Sequence, residues 1–474
     1  MPYPLSDRRA KGHPMHTPGK FTTGSTMRHV MVMTLTGSLG LSFMFLVDFL
    51  ALFWISRLND EVLITAIGFA GVIQFFVVSV AMGMMIGAVA LVSRALGRGD
   101  QEEARRIAGS AMVYAIAVQT VIAATVFVFR RPLLAWSGAE GEALDVAVQF
   151  LTISLPSLPM IAAGMTASAV LRAAGDAWRS MLVTTSAGLV ALVVDPLLII
   201  WMGLGVPGAA IAIIISRSVM VSLGLYWAIK VRKLLGRPSL PDLRQNLPAF
   251  IAIAGPAVAT TISTPFGNWV LTRAMAEHGD SAVAGLGVTM RMTILAFGGI
   301  FALSGAIGGI IGQNYGAGLP HRVASAYRDA LIFCAGYTMV VWAVLVAMSD
   351  PVSRTFGLGP EGAEVVHVFA RVSGFFLFTG ALFVSNAAFN NLGKPFWATA
   401  ANWTRDGLLI FPLAMLFGAW MGASGVVVGQ AVANTVAGIA AAWVGWRFVQ
   451  RMGGARAPQH PVPDPVTNPA VPPM

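Results

Sequence analysis

The sequence is poor in charged residues. Asp, Glu, Lys and Arg make up only 11% of its 474 residues, whereas they are about a quarter of an average soluble protein. Hydrophobic residues account for 56% of the chain, and the mean hydropathy is +0.73. These values exclude an ordinary soluble domain and indicate that lipid is the main solvent of this chain.

Cysteines and catalytic motifs are also scarce. The single cysteine, Cys334, excludes an internal disulfide framework, and its apolar surroundings favour a packing role. The sequence has no G-x-x-x-x-G-K-[ST] loop, so an internal ATPase motor is not expected. Its histidines lack metal-ligand spacing, and no nucleophile elbow occurs. We therefore predict a protein that is not an enzyme and that has no metal or organic cofactor.

Twelve apolar runs are long enough to cross a bilayer, which takes about 20 residues. They lie at 30–56, 62–93, 107–129, 146–171, 181–202, 208–229, 249–272, 281–312, 328–349, 365–390, 396–419 and 423–446. We predict an N-terminal cytoplasmic tail at 1–29, an N-lobe at 30–229, a cytoplasmic linker at 230–248, a C-lobe at 249–446 and a disordered proline-rich tail at 447–474.

The basic residues predict the orientation of these spans. The net charge is +10, which in a soluble protein would suggest nucleic acid, but connectors rich in Lys and Arg reflect membrane topology instead. If both termini and every even-to-odd connector share one face, only six basic residues are assigned to the other face: Arg57, Arg130, Arg131, Arg273, Arg354 and Arg371. We predict a multi-pass, monomeric protein of the inner (plasma) membrane with cytoplasmic termini, membrane lipids around it and no nucleic-acid partner.

The two halves of the chain repeat one another. The segment from Gly87 to Gly99 matches the segment from Ala306 to Gly318 at an offset of 219 residues, and 171–176 matches 389–394 at an offset of 218. Each half has an even number of spans, so both halves cross the membrane in the same direction. The predicted fold class is an all-α integral membrane protein with two six-helix bundles, related by a parallel pseudo-two-fold repeat, and a cleft that suits alternating access.

Four charged residues are predicted to lie well inside the spans: Asp48, Asp195, Arg217 and Arg291. A charge near the bilayer centre costs at least about 2.5–3.5 kcal/mol, so a buried acid must be protonated, paired or hydrated. Asp48 and Asp195 lie at similar depths in the first and fifth spans, which predicts a shared proton or cation site. The alternative is that each acid caps a local break or pairs with an arginine such as Arg217. The second half has no matching acid, so coupling is assigned to the N-lobe.

Other residues are candidates for the moving part and for the wall of the cleft. Pro196 follows Asp195 directly and removes a backbone hydrogen bond, so we predict a hinge there. Arg217 could instead line the cleft, and Arg291 could snorkel towards the membrane surface. Gln74 is a polar residue within an apolar run, and Met85 belongs to a methionine cluster that suits a cavity for varied apolar compounds. Ser168 in the fourth span is a further candidate for the wall of the cavity.

Several motifs together resemble the MATE (multidrug and toxic compound extrusion) transporter family over about residues 28–450. They are Val47-Asp48, Gly87-Ala-Val-Ala-Leu-Val-Ser-Arg-Ala-Leu-Gly-Arg-Gly-Asp100 with Glu103-Ala104, Leu171-Arg-Ala-Ala-Gly-Asp176, and Asp195-Pro196 followed by Gly208-Ala-Ala-Ile-Ala212. The resemblance implies twelve helices in two lobes. It also implies export of amphipathic, often cationic, small molecules in exchange for protons or sodium.

Within that family the chain resembles the DinF-like branch, in which an acid pair in the N-lobe matches Asp48 and Asp195. It departs from the branch where Ala191 replaces an Asn, Ile213 a Thr, and Ser168 or its neighbour another Asn. Sodium needs several oxygen ligands, whereas a proton needs one carboxylate. The resemblance with these losses therefore favours protons as the coupling ion.

Two alternatives stay open at this point. A lipid-linked oligosaccharide flippase of the same superfamily would need several cationic residues in the cleft, for which Arg217 and Arg291 are the candidates. A membrane enzyme or a channel is disfavoured, because no catalytic constellation is present and the paired repeat suits a transporter.

Overall fold

The computed structural model describes residues 19–56 and 61–454, which form α-helices joined by short turns. The N-terminal half contains α1 (Thr26–Ser56), α2 (Glu61–Gly97), α3 (Gln101–Trp136), α4 (Gly141–Ser154), α5 (Leu158–Ala173), α6 (Ala177–Pro196) and α7 (Gly205–Leu225). The C-terminal half contains α8 (Leu240–Ala276), α9 (Asp280–Ala296), α10 (Gly298–Gly316), α11 (Pro320–Thr355), α12 (Pro360–Val372), α13 (Phe376–Asn391), α14 (Pro395–Trp403), α15 (Ile410–Met421) and α16 (Ala423–Gly454).

Several membrane crossings are interrupted, and some interruptions occur at equivalent places in both halves. A 3-10 turn joins α4 to α5 at Leu155–Ser157, and another joins α12 to α13 at Ser373–Phe375. A π-helical segment follows α6 at Leu197–Trp201, and another joins α14 to α15 at Thr404–Leu409. Helices α9 and α10 meet at an angle of 49°. With each interrupted pair counted once, the described ranges contain twelve helical rods, six in each half.

The glycines that end the repeated motifs mark where helices end on one face of the molecule. Gly99 and Gly175 have φ values of 77° and 81°, in the left-handed region that glycine adopts without strain. Their matches in the second half, Gly318 and Gly393, have φ values of 70° and 77°. Next to Gly99, Asp100 caps α3 by accepting a hydrogen bond from the main-chain nitrogen of Glu103. The motifs therefore encode sharp turns between consecutive crossings.

The two lobes touch in the half of the molecule nearest the predicted cytoplasmic face. Helix α2 packs on α8, and a Cβ at Gly87 would lie 2.9 Å from Cβ of Ala254, so this glycine allows close approach. The hydroxyl of Thr261 donates to the main-chain oxygen of Ser79, near the middle of α2. Helix α1 packs on α10 from its own N-terminal half. These inter-lobe contacts lie in the half of the molecule towards the predicted cytoplasmic face.

The helix boundaries differ from the predicted segment boundaries at three places. Residues 19–25, here called the N-terminal strap, were assigned to a tail ending at 29, yet Lys20–Thr22 forms a 3-10 turn and Phe21 is only 1% exposed. The strap is held in place because the side chain of Phe21 packs among buried apolar residues. The linker predicted at 230–248 is shorter, because Ser239 and Asp242 form a capping box that starts α8 at Leu240. The tail predicted as disordered from residue 447 begins as helix, because α16 continues to Gly454, and the rest of the tail lies outside the described residues.

Candidate functional site

The predicted acid pair lies on two adjacent helices of the N-lobe. Asp195 is 6% exposed and is the penultimate residue of α6, directly before Pro196 and the π-helical segment. Two turns earlier, Gly188 packs against Phe43 and Val47 of α1. Asp48 follows Val47 in α1, but its side chain lies outside the described part of the structure. Counting 1.5 Å per residue from the Gly188 contact, the Asp195 backbone lies about 6 Å nearer the outer face than the Asp48 backbone.

Pro196 coincides with a change in backbone geometry. The α-helical pattern of α6 ends at this residue, and the wider π-helical turn over Leu197–Trp201 begins directly after it. Proline has no main-chain N–H to donate, and π-helical segments within α-helices frequently occur at functional sites. The role of Pro196 as a hinge stays a prediction.

Arg217 and Gln74, both predicted as wall residues, meet in one buried polar cluster. The Nη1 atom of Arg217 donates to Oγ of Ser157 at 2.7 Å, and its Nη2 atom donates to Oε1 of Gln74 at 3.2 Å. Gln74 in turn donates from Nε2 to Oγ of Ser154 at 2.9 Å. Arg217 is 8% exposed. This network, here called the Arg217 cluster, ties α2, the α4–α5 connection and α7 together inside the N-lobe.

Ser168 and Met85 belong to a second group, centred on an arginine that the sequence reasoning did not select. Arg172 lies one residue before the end of α5, and its Nη2 atom is 3.4 Å from Sδ of Met85. Ser168, one turn earlier, forms reciprocal hydrogen bonds with Ser180 of α6. Arg172 was missed because the fourth span was predicted to end at residue 171, whereas α5 continues to Ala173.

A small cavity lies beside this arginine, between the lobes. Its volume is about 40 Å³, which has room for about three water molecules. Its wall is formed by residues of α1, α5, the start of α6 and α10: Met33, Gly37, Leu41, Ser168, Arg172, Ala177, Ser180, Met181, Thr184 and Ala302. Nine of these residues come from the N-lobe, and Ala302 closes the cavity from the C-lobe.

Arg291 stands apart from both groups. It is exposed on α9 and makes no hydrogen bond or ion pair with any residue in the described ranges. The structure therefore does not bring Arg291 together with Arg217, although both were predicted as wall residues.

The C-lobe contains a buried acid, so the prediction that only four charged residues lie inside the spans is wrong. Asp406 is 2% exposed and Arg405 is 5% exposed, both in the π-helical segment between α14 and α15. Nε and Nη2 of Arg405 donate to the two carboxylate oxygens at 2.7 and 2.8 Å, and Ser263 donates to Oδ2. The neighbouring opposite charges inside an apolar run were the signal that could have identified them.

The position of Asp406 can be compared with that of Asp48 in the first half of the repeat. At the 219-residue offset, Asp48 of α1 corresponds to Gly267 of α8. A Cβ at Gly267 would lie 3.0 Å from Oδ1 of Asp406. The carboxylate thus occupies the space beside α8 that corresponds to the place of Asp48 on α1, but it comes from the neighbouring crossing and it is already neutralised by an arginine.

The face predicted to be cytoplasmic is closed by a pair of reciprocal contacts, here called the inner gate. Arg94 of α2 donates to the main-chain oxygens of Asn390 and Asn391 at 2.8 and 3.0 Å. Gln313 of α10, its repeat equivalent, donates from Nε2 to the main-chain oxygen of Ala173 at 2.6 Å. Each lobe therefore holds the end of a helix in the other lobe.

The N-terminal strap lies across this gate. The main-chain nitrogen of Phe21 donates to Oε1 of Gln313 at 2.8 Å, and Nζ of Lys20 donates to the main-chain oxygen of Gly175 at 2.7 Å. Arg322 of α11 donates to the main-chain oxygens of Phe21, Thr23 and Gly24. The strap precedes α1 of the N-lobe but binds α10 and α11 of the C-lobe, so it bridges both lobes.

Comparison with known proteins places this architecture in a family. The MatE family model matches residues 38–197 and 256–416, one match in each half. The FAD transporter of Shewanella oneidensis is 27% identical over 405 residues, which cover 84% of this chain and 89% of that protein. The multidrug export protein MepA of Staphylococcus aureus is 24% identical over 412 residues, covering 83% and 87%.

Solved structures of MATE transporters have the same fold. A MATE crystal structure in complex with MaL6 superposes with a TM-score of 0.87 at 22% identity, covering 93% of this chain and 100% of the other. A mutant of the Vibrio cholerae MATE transporter VcmN superposes with a TM-score of 0.85 at 24% identity, covering 90% and 97%. The predicted fold class of twelve transmembrane helices in two bundles is confirmed. The chain belongs to the MatE family, and it is a multi-pass membrane transporter and not an enzyme.

Proposed function

We propose that this transporter is a secondary active efflux antiporter that exports amphipathic or cationic small molecules in exchange for protons. The observation that carries the proposal is the burial of Asp195 at the π-helical break of α6, beside the helix that carries Asp48. A carboxyl group inside a membrane protein is favoured in its neutral form unless a cation compensates it, so its protonation can be coupled to a change in packing.

The coupling follows an alternating-access cycle. With the inner gate closed, Asp48 and Asp195 take up protons from the outer side. Protonation changes the packing of α1 against α6 around Pro196, and the bound compound leaves outwards. The gate and the strap then open, the protons leave to the cytoplasm, and a new compound enters from that side. Protons run down their gradient and the exported compound runs against its own.

Protons are favoured over sodium because two positions that carry an oxygen-bearing side chain in the DinF-like branch are apolar in this chain. Ala191, one turn before Asp195, has no oxygen in its side chain, and Ile213 of α7 has none either. The hydroxyl of Ser168 is already bonded to Ser180. A sodium ion is held by several oxygen atoms, whereas a proton needs a single carboxylate.

A second candidate substrate class is a phosphorylated flavin or a similar organic anion. It is favoured by the relative from Shewanella oneidensis that is named an FAD transporter, at 27% identity, and by two arginines, Arg172 and Arg217, inside the N-lobe. The lipid-linked oligosaccharide flippase is the remaining alternative, and binding of a polyprenyl phosphate would support it. We also propose cytoplasmic termini, a plasma-membrane location and a monomeric protein.

Efflux from proteoliposomes tests the coupling. The wild-type protein should export lipophilic dyes under an imposed pH gradient and should fail to do so under a sodium gradient alone. Asp48→Asn and Asp195→Asn should each abolish pH-driven export and leave folding intact. The matched control Asp145→Asn, at an exposed carboxylate paired with Arg131, should export like the wild type. Unchanged export by both Asp48→Asn and Asp195→Asn would contradict the proposed mechanism.

A further inference from the structure

We propose that Arg172 is an anion-recognition residue, which binds the phosphate or carboxylate group of a transported compound in the cavity between the lobes. This inference rests on the second candidate of the proposed function, the transport of an organic anion, and it names the residue that would bind the anionic group. The cavity beside Arg172 has a volume of about 40 Å³, so one small charged group can replace the roughly three water molecules that it could hold.

The guanidinium of Arg172 lacks the partners that a buried cation needs. Its Nε atom is fully buried and has no hydrogen-bond acceptor among the described residues. Among the described residues its only hydrogen bond is to the sulfur of Met85, a weak acceptor. No carboxylate in residues 19–56 or 61–454 forms an ion pair with it. A guanidinium has five N–H donors in a planar fork that matches a carboxylate or a phosphate, so an incoming anion would supply the missing acceptors.

The surrounding charge favours an anion. The nearest carboxylate along the chain is Asp176, and it is already paired with two other arginines, Arg179 at 2.6 Å and Arg232 at 2.9 Å. Lys20 of the strap lies at the same helix end, bonded to the main-chain oxygen of Gly175. The end of α5 therefore carries more positive than negative charge, which attracts organic anions and repels cations.

The repeat argues against a purely structural role for the charge. At the 218-residue offset, Arg172 corresponds to Asn390 near the end of α13. A neutral amide therefore suffices at this helix end in the C-lobe. Of these two equivalent helix ends, only the one in the N-lobe carries a positive charge, and the N-lobe is also the lobe that carries the acid pair.

The opposite lobe is shaped to admit the guanidinium. A Cβ at Gly305 of α10 would lie 2.8 Å from Nη1 of Arg172, so any larger residue there must displace the guanidinium. Ala302, one turn earlier on α10, lines the same cavity. Movement of α10 away from α5 during the transport cycle would therefore change the size of the anion site and couple anion binding to the lobes.

Flavins provide a matched pair of probes, because FMN differs from neutral riboflavin by one phosphate group. We would measure both dissociation constants by flavin fluorescence with the full-length protein in nanodiscs of neutral phosphatidylcholine. The wild type should bind FMN about tenfold or more tightly than riboflavin, the size expected for a hydrogen-bonded charge pair. Arg172→Gln should abolish this preference and leave the riboflavin constant unchanged, and Arg172→Lys should retain part of it.

Two further variants keep the test decisive if Arg172→Gln unfolds. Gly305→Ala displaces the guanidinium without removing charge and should also reduce FMN affinity, whereas Arg131→Gln, an exposed arginine, should bind both flavins like the wild type. Equal affinity for the two flavins in the wild type, or an intact FMN preference in folded Arg172→Gln, would overturn the proposal.

A competition experiment with an anionic lipid distinguishes a lipid phosphate from the phosphate of a soluble compound as the occupant of the site. If phosphatidylglycerol in the nanodisc competes with FMN in the wild type but not in Arg172→Gln, the same site takes a lipid phosphate, and the proposal stands with a lipid as its occupant. Failure of proton coupling is a separate result: Asp195→Asn should lose pH-driven efflux and should keep the preference for FMN. Loss of the preference in Asp195→Asn would contradict an independent anion site.

Discussion

Arg94 and Gln313 occupy equivalent positions in the two halves of the chain, and each one donates hydrogen bonds across the lobe interface. Arg94 holds the end of α13, and Gln313 holds the end of α5. The acceptors are main-chain oxygens in both cases, so the contact depends on helix ends and not on the identity of the partner side chain. The duplication thus supplies two symmetric inter-lobe contacts at the inner gate, and the N-terminal strap, which precedes the repeat, adds a third.

The two glycines at the gate should set how tightly it closes. A Cβ at Gly97 would overlap the main-chain oxygen of Gln313, and a Cβ at Gly316 would overlap that of Arg94. We expect Gly97→Ala to separate α2 from α10 and to shift the population roughly tenfold towards the inward-open state, because overpacking costs about 1–3 kcal/mol. Distances between spin labels at Arg106 and Arg328, both exposed, would measure the shift.

A glycine in the same lobe as Gly316 provides the control for this measurement. Gly336 lies in α11, and a Cβ there would meet no atom within 4 Å. Gly336→Ala should leave the label distances unchanged. The native Cys334 is buried, so labels attached to introduced cysteines should report these sites specifically. Identical distance distributions for Gly97→Ala and Gly336→Ala would show that the glycine contact does not control the gate.

Truncation of the Phe21 side chain should loosen the strap. Phe21 is 1% exposed, and a Cβ at Gly175 or Gly309 would lie 3.1 and 3.5 Å from its ring. Burial of a phenylalanine contributes about 3–5 kcal/mol in well-packed cores, and much of it would be lost in Phe21→Ala. We expect more rapid hydrogen exchange in residues 19–25 and a larger inward-open population. Phe356→Ala, at a half-exposed phenylalanine, is the matched control.

If Phe21→Ala exchanges no faster than the wild type over residues 19–25, the strap is held by its main-chain hydrogen bonds alone. In that case Gln313→Leu, which removes the acceptor for the nitrogen of Phe21 and the donor to Ala173, should still open the gate. If neither Phe21→Ala nor Gln313→Leu changes the inward-open population, the strap takes no part in gating.

The sequence predicted the helices well because membrane helices carry a strong signal. Long apolar runs separated by basic connectors specify where the chain crosses, and the glycines that end helices specify where it turns. Residues 19–25 were missed for the opposite reason. Phe21 is a single buried residue among polar neighbours, so it produces no hydrophobic periodicity. The residues that contact the strap lie about 150 to 300 positions away in the chain.

Charged residues were harder to place, since their burial depends on helix ends and on partners. Arg94 lies three residues and Arg172 one residue before a helix end, where an error of one turn moves a side chain from the connector into the lobe interface. Asp406 was overlooked because its neighbour Arg405 cancels its charge within an otherwise apolar run. The adjacent opposite charges were a sequence signal for this pair, but the bidentate contact itself depends on the side-chain geometry in the π-helical segment.

We expect the Arg405–Asp406 pair to stabilise the fold and to take no part in transport, so that both residues can be replaced together. Asp406→Asn leaves a buried, uncompensated guanidinium, and loss of one partner from a buried pair costs about 3–5 kcal/mol. We expect a clear drop in the melting temperature of the detergent-solubilised protein. The double variant Arg405→Leu with Asp406→Leu should recover most of the lost stability and should retain pH-driven efflux. A stable double variant without efflux would instead assign a coupling role to the C-lobe acid.

The Arg217 cluster should behave as a network that depends on each acceptor. Ser157→Ala removes the oxygen that lies 2.7 Å from Nη1 of Arg217, and a buried charged donor without an acceptor costs about 1–3 kcal/mol. Gln74→Glu should compensate, because a carboxylate in place of Oε1 would pair with Nη2 directly. Thermal unfolding of the single and double variants gives the coupling energy. Ser349→Ala, at an exposed serine bonded within its own helix, should be neutral. Strict additivity of Ser157→Ala and Gln74→Glu would show that Arg217 does not link the two side chains energetically.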